Sequence, residues 1–304
     1  MSIKKILFFS FIIIIIPFVI VNIFIKNDEI TFNYTSNSIV RVFREKTKTI
    51  ENVPLEQYVY GVVSSEMPAS FPFEALKAQA VASRTYVMYQ IQKNRNNKYD
   101  VYDSVNSQVY NSDSQLKEKW QDKYTEYSNK IKKVILQTMG QYLVYDNKII
   151  EAFFFSTSVG YTENSEDVFS EQLPYLRSVE SKWDQKSPAY SDTKLFSKNN
   201  FYSLLGLEYS DNLTITNIKK TKTGRIKSLN INGKIFNGKD IRTKLNLKST
   251  FFNIINEGNE VKITTRGYGH GVGMSQYGAN GMALAGFTYD QILKYYYTGV
   301  EIKK

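Results

Sequence analysis

Glu66 is the side chain that best joins reactive chemistry to a defined position. It lies eleven residues beyond Leu55, three helical turns along the apolar stripe of Leu55, Tyr58, Val59, Val62 and Val63. Pro54 precedes that stripe and Met67-Pro68-Ala69 closes it, so the period predicts a helix with a carboxyl at its far end. A carboxyl on an apolar stripe loses hydration, which disfavours the charged form and raises its pKa toward what a general acid needs near neutral pH. The spacing is equally compatible with a Glu just past the helix and simply exposed.

Three further groups carry chemistry. On a second predicted helix, from Pro72 to about Gln92, Glu74, Lys77 and Arg84 form a polar stripe opposite Leu76, Ala80, Ser83 and Val87. Arg84 reads as a group that orients Glu66 or meets a carbohydrate oxygen, or as an ordinary ion pair. Ser156 to Thr162 leaves a predicted strand with several hydroxyls, so Thr157, Ser158 and Tyr161 read as a sugar-binding rim or as a hydrogen-bonded turn. Gly267 to Ala279 holds His270, Ser275, Gln276 and Tyr277, with four glycines in seven residues that let the backbone adopt special conformations and a ligand come close. It lacks the spacing of a dinucleotide or phosphate loop.

Composition narrows the reactions available. There is no Cys and one His in 304 residues, which removes disulfides, thiolate chemistry and any metal site built from several imidazoles. The net charge is +10, suited to anionic polymers or headgroups or simply to a solvated lysine-rich surface. No basic run is dense enough to argue for nucleic acid.

These residues need elements to hold them. From Ile6 to Ile25 only Ser10, Pro17 and Asn22 interrupt an apolar run, and at about 1.5 Å per residue that length spans a bilayer core. Lys4 and Lys5 precede it, so the amino terminus is expected inside and the rest outside. The alternative, a cleaved signal peptide, lacks a small-x-small site. The expected division is a cytoplasmic tail (1–5), a transmembrane anchor (6–25), a linker (26–37) and an extracytoplasmic domain (38–304). Alternation predicts strands at Ile30–Tyr34 and Ile39–Phe43, and an amphipathic segment is expected from about Ser114 to Met139. A hairpin is expected to join Gln141–Tyr145 to Ile149–Phe155. Short strands, with one helix near Lys239 to Leu245, fill Thr214 to Lys262, and Thr288-x-x-Gln291 fits a capping box before a last helix. Helices and strands are grouped rather than alternating, so the class is α+β, with a mixed helix and antiparallel-sheet domain after the N-terminal transmembrane helix.

Pro54 to Val59, Ser65-Glu66-Met67-Pro68 and Glu74 to Tyr86 resemble the stage II sporulation protein D family of peptidoglycan lytic transglycosylases. So, in the same order, do Ser107 to Tyr110, Thr157 to Asn164, Pro174-Tyr175-Leu176, Gly267 to Ala279 and Ile292 to Tyr297. The resemblance covers about residues 38 to 302. It implies a membrane-anchored protein that degrades septal peptidoglycan during forespore engulfment, with Glu66 catalytic and Arg84 in the active cleft. It also implies a partner amidase that strips stem peptides first and a multipass membrane scaffold protein. Some members carry a zinc-binding His and Cys near the hairpin's second strand; this chain has Phe153 to Gly160 there, so no metal and no cofactor is carried over. In a lytic transglycosylase one carboxyl protonates the glycosidic oxygen and then deprotonates the muramic 6-hydroxyl that attacks C1, whereas a hydrolase needs a second carboxylate, for which Glu163 or Glu166 is the candidate. The rival reading is a non-catalytic glycan-binding protein that enhances an amidase.

Overall fold

The structure is a computed structural model that describes residues 15–16, 29–32 and 38–304. The expected anchor lies outside the described residues except for Ile15 and Ile16, and among the described residues no helix is long and apolar enough to cross a membrane. Ile30 to Phe32 form no strand, and Asn33 and Tyr34 lie outside the described residues.

The fold is α+β with antiparallel sheets, and its centre is a helix. Strands β1 (Ile39–Arg44) and β2 (Thr49–Pro54) pair antiparallel and feed directly into α1 (Leu55–Glu66). Pro54 supplies the fixed φ of −54° at the entry, and Glu66 is the last helical residue. Helix α2 (Phe73–Lys93) follows. The expected inward stripe of Leu76, Ala80, Ser83 and Val87 is fully buried, and so, on other faces, are Ala78, Val81, Arg84 and Thr85. Ala75, Ala78, Ala80 and Ala82 keep that helix thin enough for α1 and later elements to close around it.

The amphipathic segment expected as one helix is two. Helix α3 (Asp113–Trp120), opened by the Ser112/Gln115 capping box, gives way to a 3₁₀ turn, and α4 (Tyr124–Gln137) then continues the apolar stripe through Ile131, Val134 and Ile135. The break sits at Gln121, whose φ of 45° no helix accommodates. It leaves Trp120 and Tyr127 edge-to-face at 5.7 Å. Short strand β3 (Val101–Tyr102) runs parallel to β1.

The hairpin of β4 (Tyr142–Tyr145) and β5 (Lys148–Ile149) turns on Asp146 and Asn147, both left-handed, as a two-residue connection requires. Its second strand is shorter than expected. After Ile149 the chain leaves the sheet, and Phe154–Phe155 form a separate strand, β6, parallel to β13 (Met274–Ser275). Helix α5 (Ser165–Val168) lies between them in sequence. Helices α8 (Gln276–Leu284) and α9 (Tyr289–Tyr296) then pack on α2, with Gln291 accepting from the Thr288 N–H at 3.0 Å, and β14 (Glu301–Lys303) adds to β4.

A second hydrophobic cluster forms between Ser191 and Arg266. Its sheet β11 (Phe252–Glu257), β12 (Glu260–Arg266), β7 (Ser191–Ser197) and its sheet β10 (Lys234–Asn237), β9 (Ile226–Ile231), β8 (Ile215–Lys220) enclose α6 (Lys198–Leu205) and α7 (Gly238–Lys244). Phe201, Leu229, Ile241 and Ile263 make its centre. It is separate from the main cluster around α1, α2 and α4, so the described chain has two apolar centres with a seam between them.

Candidate active site

Glu66 closes α1 at the floor of a cleft of about 460 Å³. The cleft walls come from the Met67-to-Phe71 turn, from Lys119 and Trp120 at the end of α3, from Tyr127 on α4, and from Ser156, Gln276 and Tyr277 beside the β6–β13 pair. The sequence folds this way locally because Pro68 cannot continue the helix and Met67 and Ala69 turn inward, buried, beneath the opening. Phe71 meets the Tyr277 ring edge-on at 5.2 Å and fixes that wall.

The carboxyl is held from two sides. The Val109 N–H donates to Glu66 Oε1 at 2.7 Å, and the Gln276 side chain is a second partner. Burial raises the Glu66 pKa, while the Val109 and Gln276 bonds and, less strongly, the Lys119 charge pull it back. Burial in turn lowers the Lys119 ammonium pKa, with Glu66 opposing the change. Gln276 is aimed by Gln79 of α2, whose Oε1 accepts from it at 3.5 Å and whose Nε2 donates to Ser83 at 2.9 Å. Glu66 is the only acid among the described residues that line the cleft.

The expected site residues divide sharply. Glu66, Gln276 and Tyr277 come together in the cleft. Arg84 does not: it is fully buried, donating from Nε and Nη2 to the two carboxylate oxygens of Glu56 at 2.8 and 2.6 Å and from Nη1 to the Gln141 carbonyl at 3.1 Å. Of the expected polar stripe Arg84 alone is fully buried, and its work is to tie α1, α2 and the start of β4 together. Glu74, by contrast, pairs with Lys77 at 2.8 Å and accepts from the Tyr289 N–H.

Thr157, Ser158 and Ser275 are fully buried and form no rim. Ser158 and Ser275 bond to Asp184, which sits in a 3₁₀ turn too short to carry a period, while Thr157 Oγ1 meets Ser187 Oγ at 2.7 Å. Asp184 accepts from the Ser158 N–H and hydroxyl at 2.8 Å each, from Ser181 Oγ at 2.5 Å and from Ser275 Oγ. Burial raises its pKa and these donors oppose the rise. Ser275 also caps α8 through the Gly278 N–H, so this hub sets the position from which Gln276 reaches Glu66. Tyr161 is half exposed, bridged to Glu180, and outside the cleft.

His270 sits elsewhere too. Its ring is ringed by Phe153, Phe155 and Phe169 at 5.6–5.8 Å, and its Nδ1 accepts from the Val272 N–H. Burial, with Arg225 and Arg242 adding to it, pushes the imidazole pKa down to about 3, so it is neutral at pH 7. The glycines around it serve packing rather than a ligand. Gly267, Gly269, Gly271 and Gly273 all have positive φ, and a Cβ on Gly273 would fall 2.0 Å from the Phe153 carbonyl.

Neither candidate second carboxylate lines the Glu66 cleft. Glu163 faces Arg225, with Nε 3.2 Å from Oε1, and burial raises its pKa against the pull of that cation. Glu166 is clasped by Arg177 at 2.8 and 2.6 Å, which holds its pKa down at about 2. Among the described residues no cluster of three or more His, Cys, Asp or Glu is arranged to hold a metal ion.

With that geometry in view, relatives become informative. A family profile described as Stage II sporulation protein matches residues 43–145, from β1 through α1, α2 and the Val109 loop to the end of β4. The stage II sporulation protein D of Bacillus subtilis (strain 168) is 45% identical over 270 residues, covering 87% of this chain and 79% of its own. This chain belongs to the stage II sporulation protein D family. The homologous protein of Bacillus amyloliquefaciens is 46% identical over 270 residues, covering 87% of this chain and 78% of its own. A protein named amidase enhancer from Bacillus subtilis (strain 168) is 31% identical over 300 residues, covering 80% of this chain but 40% of its own length. A role in sporulation therefore follows from family membership.

Proposed function

We propose that this family member is a lytic transglycosylase that cuts peptidoglycan glycan strands to 1,6-anhydro-muramic acid ends during forespore engulfment. The observation that carries the reading is a single half-buried carboxyl, Glu66, desolvated yet open to a cleft lined by no second acid among the described residues. Burial keeps Glu66 protonated to higher pH than an ordinary carboxyl, ready to protonate the leaving glycosidic oxygen. The carboxylate so formed, stabilised by the Val109 N–H and Gln276, takes the proton of the muramic 6-hydroxyl as that oxygen attacks C1. Intramolecular attack replaces water and gains from proximity. Tyr277 and Trp120 offer aromatic faces to sugar rings, and Lys119 stabilises negative charge as it develops.

In this reading the apolar run of residues 6–25 anchors the chain in the membrane, with the domain facing the wall. Its partners are an amidase that strips stem peptides and a multipass scaffold protein. The likeness to an amidase enhancer supports the second reading, a glycan-binding protein that stimulates an amidase without cutting. Cleavage of purified, peptide-free glycan in heavy-oxygen water separates them. The expected product ends in 1,6-anhydro-muramic acid without label. Labelled reducing ends would mean hydrolysis, and bound but uncut glycan would favour the enhancer role.

A further inference from the structure

At the seam between the two apolar clusters lies a second cavity, of about 570 Å³ and larger than the Glu66 cleft. Val168 and Phe169 form its wall on the main-cluster side and Ile226 its wall on the other. Its polar lining is dominated by Arg225, Lys227, Lys239 and Arg242. The acids at its edge already have partners: Asp167 holds Lys227 at 2.6 Å, and Glu166 holds Arg177.

Arg225 is the unusual member. Its side chain is 1% exposed. Nη1 donates to the Gly269 carbonyl at 3.1 Å, and Gly271 lies against the guanidinium so closely that a Cβ there would come within 2.8 Å of it. Yet Nε and Nη2 are buried without a hydrogen-bond acceptor, although Nε faces Glu163. A buried donor left unmade is costly, and such a group in a native fold calls for a partner, which an anion in this cavity would supply. Arg242 and Lys239 add cations that act on the same spot, since both repel a proton from His270. With Glu163 neutralising Arg225 and Asp167 neutralising Lys227, the lining retains the charge of Arg242 and Lys239 and attracts an anion. The guanidinium fork suits a planar carboxylate.

We propose that this cavity binds a free carboxylate of wall material, completed by Arg225 Nη2 and Arg242, the group being the lactyl carboxylate left on muramic acid once a stem peptide is removed. The ligand assignment rests on the peptidoglycan reading above.

Binding is best measured by calorimetry on the full chain carrying Glu66→Gln, so that nothing is cut. The probes are a peptide-free muramic-acid oligosaccharide, a neutral chitooligosaccharide of equal length and a free stem tripeptide. The muramic oligosaccharide should bind more tightly than the neutral one, and Arg242→Gln should weaken it about tenfold or more, one charge-assisted contact's worth, while leaving the neutral sugar unaffected. Lys239→Gln, on an exposed residue, should give a smaller loss in the same direction and stands in if Arg242→Gln misfolds. Arg242-dependent binding of the tripeptide in place of the glycan would keep the carboxylate site and move its source to the peptide. Equal binding of all probes, unaffected by both variants, would overturn the site. A protein that cuts glycan normally while failing this test loses only this inference; one that never cuts but shows Arg242-dependent binding loses only the catalytic reading.

Discussion

Two carboxyls, Glu66 and Glu163, are both pushed above the ordinary range by desolvation, yet the first is half-buried and the second fully buried, in unlike regions. Glu66 opens onto a cleft and meets an amide N–H and a carboxamide. Glu163 is sealed, fully buried against a guanidinium, with its other oxygen unpartnered. A raised pKa therefore does not by itself mark an acid catalyst. Access to a glycosidic oxygen does, and that is a property of the elements around the carboxyl.

The widest separation between the two should come from Glu66→Gln. It keeps the size and the Val109 contact but can neither give nor take a proton, so cleavage should fall about 10²–10⁴-fold, the usual share of general acid–base catalysis. Steady-state rates on peptide-free glycan, with circular dichroism to show an intact fold, measure it. A variant that cuts within a few-fold of the parent would remove Glu66 from the reaction.

The next contrast is between the two buried arginine–glutamate pairs. Arg84 and Glu56 form a complete fork with a further carbonyl contact, whereas Arg225 and Glu163 leave three atoms unmade. Breaking a complete buried pair strands a charge and costs about 3–5 kcal/mol. Glu56→Gln should therefore unfold the chain at clearly lower denaturant, and Glu163→Gln should cost less, about 1–3 kcal/mol. Urea unfolding of both, compared at equal slope, tests the order. An equal or larger loss for Glu163→Gln would mean that the seam pair is the stronger structural tie.

What the residues reveal in order, and what they conceal, follows the range of the interactions. Leu55 to Val63 announce α1 through a local period, and the Asp146-Asn147 and Asn232-Gly233 turns announce themselves through left-handed φ that few residues tolerate. Glu66 is legible because its place on that stripe is a local fact. The partner of Arg84 is 28 residues away on another helix, and no spacing along α2 could name it. The β6–β13 pair joins two-residue strands 120 positions apart, too short to carry a period. Asp184 collects one hydroxyl from nearby Ser181 but the others from Ser158 and Ser275, 26 and 91 positions away, which no local pattern could name. The second apolar cluster leaves no local signature, because its core residues are spread from Phe201 to Ile263 over elements that are each only a few residues long.

The smallest effect tests whether His270 is wall rather than reagent. The folded protein holds the imidazole pKa at about 3, below the ordinary value near 6.5. The unfolded chain therefore binds a proton that the folded one refuses. The stability tied to the neutral ring is present above pH 6.5 and drains away as pH falls toward 3. His270→Asn keeps an acceptor where Nδ1 meets the Val272 N–H but cannot be protonated, so it should lose packing against the three phenylalanines at every pH while escaping the acid-dependent loss. Between pH 7 and pH 5.5 the gap between parent and variant should narrow by about 1 kcal/mol. Urea melts at the two pH values read it directly. A gap that stays constant would mean that the ring is hydrated and titrates normally, and that the aromatic box around it is open.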